Sequence, residues 1–508
     1  MARFRPRRGR VSGVTSADGI QPMGSTTRVL ATVRERAWAI VVCAAMAAWT
    51  AVLYAIVRDA FLDFRLGRFD LGNMVQAVWS TTEGRPLEYT HGSTGEQVVR
   101  LAVHVDPFLV LFAPLWLVWP SPLALAFAQI AVTSLGALPV FWLGRRHLGS
   151  ERAAALLALG YLAYPWTATS AIGAIHPVTF AIPLLLFCVW FLDTGQLVPF
   201  AVCAVLAMST GELMGLPVVG LGVWYALARS RRREGGLIAL AGAAWTLVAV
   251  YLVVRHFAGE SSMYYGFYDE VGGSPQAVVR TLLTDPLTVL GALVESHDIV
   301  YVVWLGLPLL FLFVLAPGLA LVGLPQLLAN ALSDFRSMSD PRYHSVAAIA
   351  PFLIAATVLA IARVRPGRRL LAAAAVLVAS ASLALVVGPW PRAVGATPLG
   401  GRASLSKSKI ETLRDAVALV PEGAPVTSSN EVGAHLSARR HVYSVPVLGD
   451  AQWVVIDVDE PWVTRLDSPI LTSHPEVVLA FAERLEQDPA WRNVFDRDGV
   501  LVFQASGR

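Results

Sequence analysis

The chain has 508 residues, of which 55% are hydrophobic and only 15% charged, and its mean hydropathy is +0.58. A soluble chain of this length cannot hide so much apolar surface, so the composition leaves a multi-pass helical membrane protein. The formal net charge of +4 and pI near 9.0 do not argue for nucleic acid, because the excess lies at span ends and in the first residues, where it serves topology. Cys43, Cys188 and Cys203 all lie in apolar runs, with no disulfide framework and no metal-ligand spacing.

The first residues are basic (Arg3, Arg5, Arg7, Arg8, Arg10) and then Gly/Ser/Thr-rich, which reads as a disordered cytoplasmic tail over 1–35. The apolar run from Trp38 to Val57 has no clear small-residue cleavage site and is long for a signal-peptide core, so it reads as a retained helix. About eleven spans are expected, at 36–57, 122–144, 151–165, 177–193, 196–210, 213–228, 235–256, 300–316, 318–332, 346–363 and 370–390. Placing the tail inside also puts Arg145-Arg146, the Arg229–Arg233 cluster and the Arg363–Arg369 cluster inside, as the positive-inside rule asks. An odd span count then puts the C-terminal region outside.

Residues 58–121 form the first outer loop, expected to be structured. Leu71, Met74, Val75, Val78 and Trp79 recur at helical spacing, which predicts a short amphipathic helix at the interface. The run His104 to Trp119 is read as a second interfacial helix with Trp116 and Trp119 at headgroup depth, because counting it as a crossing would invert every basic cluster downstream. Residues 391–508 change character. Helical patterns at Ile410–Val420 and Pro475–Glu486 alternate with strand-like runs at Pro425–Ser428, His441–Val445 and Trp453–Val458, before a terminal pair near Asn493–Asp496 and Val500–Gln504. The expected fold is an all-α polytopic bundle over 36–390 with a small α/β extracytoplasmic domain.

Most ionisable groups collect at one set of span ends. Of ten histidines, only His147 falls inside. Two roles fit Asp70: a cap for the first amphipathic helix, or a carboxylate that takes a proton from a hydroxyl nucleophile. Asp106, before Pro107, suits a cap, while His104 beside it could contact a phosphate or acceptor. His176 opens a span. Glu212 lies between two spans joined by almost no loop, where a charge is costly without a partner or function. Arg342, Tyr343 and His344 open another span, and a guanidinium there can hold phosphate oxygens in a forked geometry or simply snorkel. No Walker loop, HExxH or nucleophile elbow is present, so inner-face nucleotide chemistry has no visible support, and no metal ligands are assigned.

The Phe69-Asp70-Leu71-Gly72 element, with Gln76-Ala77-Val78-Trp79, Gly84-Arg85-Pro86, His104-x-x-Pro107, the Leu143-Gly144-Arg145-Arg146 exit, His176-Pro177, Glu212 and Tyr343-His344, resembles a family of prokaryotic multi-pass membrane proteins catalogued as a domain of unknown function. The layout is also similar to the GT-C superfamily of polyprenyl-phosphate-dependent glycosyltransferases. That resemblance implies a GT-C-like bundle in the plasma membrane and a polyprenyl-phosphate-linked sugar as donor. It makes Asp70 the catalytic acidic position; Glu212, from its costly placement between spans, is a second catalytic candidate. On their own chemistry and placement, His104, Asp106, His176, Arg342, Tyr343 and His344 are the candidates for substrate and lipid phosphate, and a divalent metal stays open. Asp70 has no adjacent acidic partner, and Gly211 stands where such enzymes often carry a lysine. The rival readings are a lipid or solute transporter, against which the lack of an internal repeat and of mid-membrane charge counts, and a degenerate GT-C scaffold.

Overall fold

Uninterrupted apolar runs give the first and last long helices, Ala37–Leu62 and Pro366–Val387. Between them Pro122–Leu148, Pro177–Thr194 and Arg232–Ala258 are also long and apolar enough to cross a membrane. The computed structural model describes residues 25–173, 175–259, 263–293, 295–390, 405–465 and 468–506; most of the basic tail and the linker that follows the last long helix lie outside them.

The expected count of eleven spans is not confirmed by helix length among the described residues. Five described helices meet the length, and a sixth would be formed by Pro286–Leu293 with His297–Leu309, bent by 53°. The remaining apolar runs form shorter helices, among them Leu197–Met208, Glu212–Ala228 and Ala350–Ala362. The reason is visible at 300–332, read as two spans. Pro308, Pro317 and Pro325 break this stretch into short helical pieces between Ser296–Gly306 and Leu324–Ala331, and Leu310 and Phe311 adopt left-handed backbone at φ 53° and 54°. Proline removes a donor and clashes with the preceding turn, so apolarity alone does not make a straight helix.

Two glycine pairs fasten the helices that present Glu212. A Cβ at Gly215 would lie 2.2 Å from the Gly242 carbonyl oxygen, and one at Gly222 would lie 2.5 Å from that of Gly235. Small residues let the helix Gly215–Ala228 press its backbone against Arg232–Val248.

The loop after the first helix is structured. In the helix Asn73–Thr82 the apolar face is buried and so are Asn73, Gln76 and Ser80 on the other side. The segment Pro107–Val118 buries Trp116 in the bundle core, and only Trp119 of the two indoles is partly exposed, edge-on to Tyr54. The helix Asn73–Thr82 is covered by protein where the sequence pattern suggested lipid, whereas Pro107–Val118 keeps Leu111, Leu117 and Val118 exposed beside its buried Trp116. A small hairpin, β1 (Glu88–Thr90) with β2 (Gln97–Val99), lies between them.

The C-terminal domain is an α/β unit. Its five-stranded sheet uses β3 (Val426–Ser428), β4 (Val442–Ser444), β5 (Trp453–Asp457), β8 (Trp491–Arg497) and β9 (Val500–Ala505) in the order β4-β3-β5-β9-β8. The first three strands are parallel, and β9 and β8 close the sheet antiparallel. Helices Lys407–Ala418 and Pro475–Gln487 each pack an apolar stripe on it. A hairpin of β6 (Trp462–Arg465) and β7 (Ser468–Ser473) was not anticipated. The domain rests directly on the loop below: the His435 ring is sandwiched between Phe61 and Phe64, centroids 4.1 and 4.0 Å away. Burial pushes that imidazole down to about 4, so it packs as a neutral ring.

Candidate functional site

Five segments far apart in sequence meet beneath the C-terminal domain. Asp70 lies in a tight turn, Arg68–Gly72, in which the Gly72 amide reaches back to the Gly67 carbonyl. It is therefore not the helix cap that one reading of the sequence allowed: the residue before the turn is Gly67, and no side chain caps it. Among the described residues the half-buried Asp70 carboxylate makes no hydrogen bond or ion pair. Burial raises its pKa above the ordinary 3.8, and the nearby His344 ring and Arg100 guanidinium oppose that shift.

His104 and Glu212 come together across 108 residues, with His104 Nδ1 3.3 Å from Glu212 Oε1. The other carboxylate oxygen accepts the Val105 amide at 3.1 Å. The neighbouring backbone is tied down too, because the Phe108 amide donates to the Ser209 carbonyl and the Trp245 indole N–H to that of Gly211. Glu212 is thus the partnered charge that its depth requires.

His176 stacks on His344 with centroids 3.8 Å apart and planes at 23°. The His176 amide donates to Gln129 Oε1, and the Gln129 Nε2 donates to the Ala171 carbonyl, which fixes the approach to the span. Burial first, then the Arg100 and His104 charges, push His176 down to about 3. Burial and the adjacent His176 likewise hold His344 well below its ordinary value, against the pull of Asp70. Both rings are neutral at physiological pH. His344 Nδ1 is buried and has no hydrogen-bond partner.

Asp106 caps no helix and faces no open space. Its carboxylate takes the Arg100 Nε–H at 2.7 Å, and both residues are buried. Arg100 was not singled out from the sequence, although a guanidinium in the apolar run Val98–Val103 is costly enough to have flagged it. It is the strongest fixed positive charge acting on both Asp70 and His176. Arg342 and Tyr343 sit at the rim and are exposed, unlike His344. The Arg342 guanidinium is already clamped by both Asp340 oxygens, at 2.6 to 3.1 Å. One group among the described residues has metal-ligand geometry, Glu295, His297 and Asp298, whose ligand atoms lie within 4.8 Å of one another on a different segment.

A carboxylate without a partner, desolvated and held near a buried guanidinium and two neutral imidazoles, can accept a proton and orient a hydroxyl. The arrangement belongs to a known fold. The chain aligns with ArnT from Cupriavidus metallidurans bound to undecaprenyl phosphate at TM-score 0.50 and 14% identity, covering 92% of this chain and 98% of that one. The same enzyme in the apo state gives TM-score 0.51 at the same identity and coverage. Arabinofuranosyltransferase AftD from Mycobacteria aligns at TM-score 0.44 and 13% identity over 91% of this chain and 40% of that one. The chain therefore shares its fold with ArnT, in keeping with the GT-C resemblance of its layout. The chain itself belongs to the DUF2079 family of predicted membrane proteins, whose model matches residues 60–502. No curated protein matches it in sequence.

Proposed function

We propose that the protein is a membrane glycosyltransferase that moves a sugar from a polyprenyl-phosphate donor to an acceptor hydroxyl on the outer face of the plasma membrane. The observation that carries this reading is the Asp70 carboxylate: it is half-buried, without a partner among the described residues, and set in a GT-C fold. Asp70 takes the acceptor's O–H proton. The acceptor oxygen then forms a bond to the sugar's anomeric carbon while the bond to the donor phosphate oxygen breaks, and the polyprenyl phosphate leaves with its electron pair.

The other residues serve that step. His344 and His176, neutral and stacked, give the sugar uncharged hydrogen-bonding partners. Arg342 at the rim exchanges its Asp340 contacts for the donor phosphate, with Tyr343 beside it. The Glu212–His104 pair and the Arg100–Asp106 pair hold the floor of the site and set the field around Asp70. The C-terminal domain lies on the outer side, with the basic clusters inside. A reporter active only in the cytoplasm, fused after Arg508, stays silent in this topology.

Lipid mass spectrometry of a deletion strain is the direct test. Accumulation of a polyprenyl-phosphate-linked sugar, reversed by the parent gene and not by Asp70→Asn, is the expected result. A lipid profile unchanged by deletion would return the chain to the scaffold or transporter readings.

A further inference from the structure

The turn that carries Asp70 is held from above by the C-terminal domain. The Phe69 amide donates to Asn430 Oδ1 at 2.9 Å. Gly67 lies so close to the same side chain that an added Cβ would sit 2.0 Å from Asn430 Nδ2, and a Cβ on Gly72 would sit 2.3 Å from Ser437 Oγ. Arg68, 1% exposed, donates to Ser444 Oγ at 2.7 Å and to the Thr90 carbonyl at 2.6 Å. One turn further, Gln76 Nε2 reaches the Arg439 and Arg440 carbonyls at 3.1 and 2.8 Å. Residues 67, 68, 69, 72 and 76 all face the domain, and of this stretch Asp70 alone among the charged residues is left without such a contact.

We propose that the C-terminal domain is the positioning element for Asp70, and that Asn430 is the residue through which it acts. The domain sits on the site as a fixed roof whose loop after β3 sets the height and direction of the carboxylate. Asn430 is a positioning residue, since it touches the Phe69 backbone and not the reacting atoms. That Asp70 is the group worth positioning rests on the glycosyltransferase reading; the mechanical link does not.

The test uses the full chain in lipid nanodiscs. Hydrogen exchange followed by mass spectrometry reads the Phe69 amide, and carbodiimide labelling against pH reads the midpoint of Asp70. Asn430→Ala should speed exchange at Phe69 about ten-fold, the protection expected of one hydrogen bond. It should also lower the Asp70 midpoint by about one pH unit as water enters the turn. Asn430→Asp keeps the acceptor oxygen and should restore the exchange protection. Phe481→Ala loosens the domain core away from this contact and should change neither readout. An unchanged Asp70 midpoint in Asn430→Ala, or an equal shift in Phe481→Ala, would overturn the proposal. Neither readout needs turnover, so failure of the transferase reading would show separately, as absent transfer in the parent. Where transfer is measured, Asn430→Ala should lower kcat about ten-fold with KM nearly unchanged, the mark of a misaimed group.

Discussion

Two carboxylates mark the two ends of the bundle, and they are treated in contrary ways. Asp193 ends the helix Pro177–Thr194, about 25 Å along its axis from His176. Its side chain is 1% exposed and meets Arg146 at 2.9 Å, His147 Nε2 at 3.0 Å and the Arg229 guanidinium. Those partners come from the ends of two other helices, so the cluster ties three helices together. Asp70, at the other end, has a comparable need for a partner and none among the described residues. A saturated carboxylate is inert cement, whereas an unsaturated one keeps its lone pairs for a ligand and costs stability meanwhile.

Asp70→Asn separates these cases most sharply. Asn keeps the shape and removes the ability to take a proton, so transfer should fall by about 10²–10⁴-fold in a purified assay with a polyprenyl-phosphate sugar donor. The sign of the stability effect is opposite to that of an ordinary paired carboxylate. Burial raises the folded pKa of Asp70, so its contribution to stability is fully present below the unfolded pKa and is lost as pH rises through the folded value. At neutral pH the Asn variant should therefore melt at the same temperature as the parent or higher. A melting point lowered by several degrees would show that Asp70 is structural. The same shift places the acid limb of the kcat/KM profile above the ordinary carboxyl value of 3.8.

Asp193→Asn should do the reverse. Removing the anion leaves the Arg146 and Arg229 guanidinium groups crowded together with His147. The cost of breaking a buried pair is about 3–5 kcal/mol, reduced here to about 1–3 because Arg146 and Arg229 are 50% and 36% exposed. Thermal unfolding in detergent should show the loss, while turnover per folded molecule stays near that of the parent. Lost turnover with unchanged melting would end the contrast between the two ends.

Much of this was legible from residue type and spacing. Asp70, His104, His176, Glu212 and His344 stand out because each is polar at the margin of an apolar run, where its cost asks for a reason, and the fold does bring them together. Asp106 shows the limit of that reasoning, since what it contacts depends on an arginine six residues earlier, across a turn whose geometry no periodicity encodes. The helix Asn73–Thr82 looked amphipathic because its polar residues, Gln76 and Ser80, are those that a half-solvated helix would also carry. Here they bond the C-terminal domain and the β1 strand instead. The span count goes unconfirmed for a related reason: hydropathy measures the solvent a segment prefers, while the prolines between 308 and 325 decide whether it can stay straight.

Glu212→Gln gives a middle-sized effect. Glutamine retains an oxygen for the Val105 amide and removes the charge that faces His104. Transfer should drop about ten-fold, the worth of a charge-assisted hydrogen bond, with little change in melting temperature. Kinetics set beside a thermal shift measurement would check it. A collapse in stability would move Glu212 from the reactive end to the cemented one.

Arg342 should give the smallest effect, because its fork is already occupied. In the resting protein Asp340 accepts from both Arg342 Nε and Nη2, so a donor phosphate must displace one anion by another and gains only the difference between them. Arg342→Ala should therefore weaken binding of undecaprenyl phosphate by about ten-fold and no more, read by the lipid retained in a filtration assay. Arg342→Lys should recover part of it, since lysine keeps the charge without the two-pronged geometry. Asp340→Asn should tighten the same binding by freeing the guanidinium. If Asp340→Asn weakens it instead, the pair holds the rim in shape and the phosphate contact lies deeper, nearer Arg100.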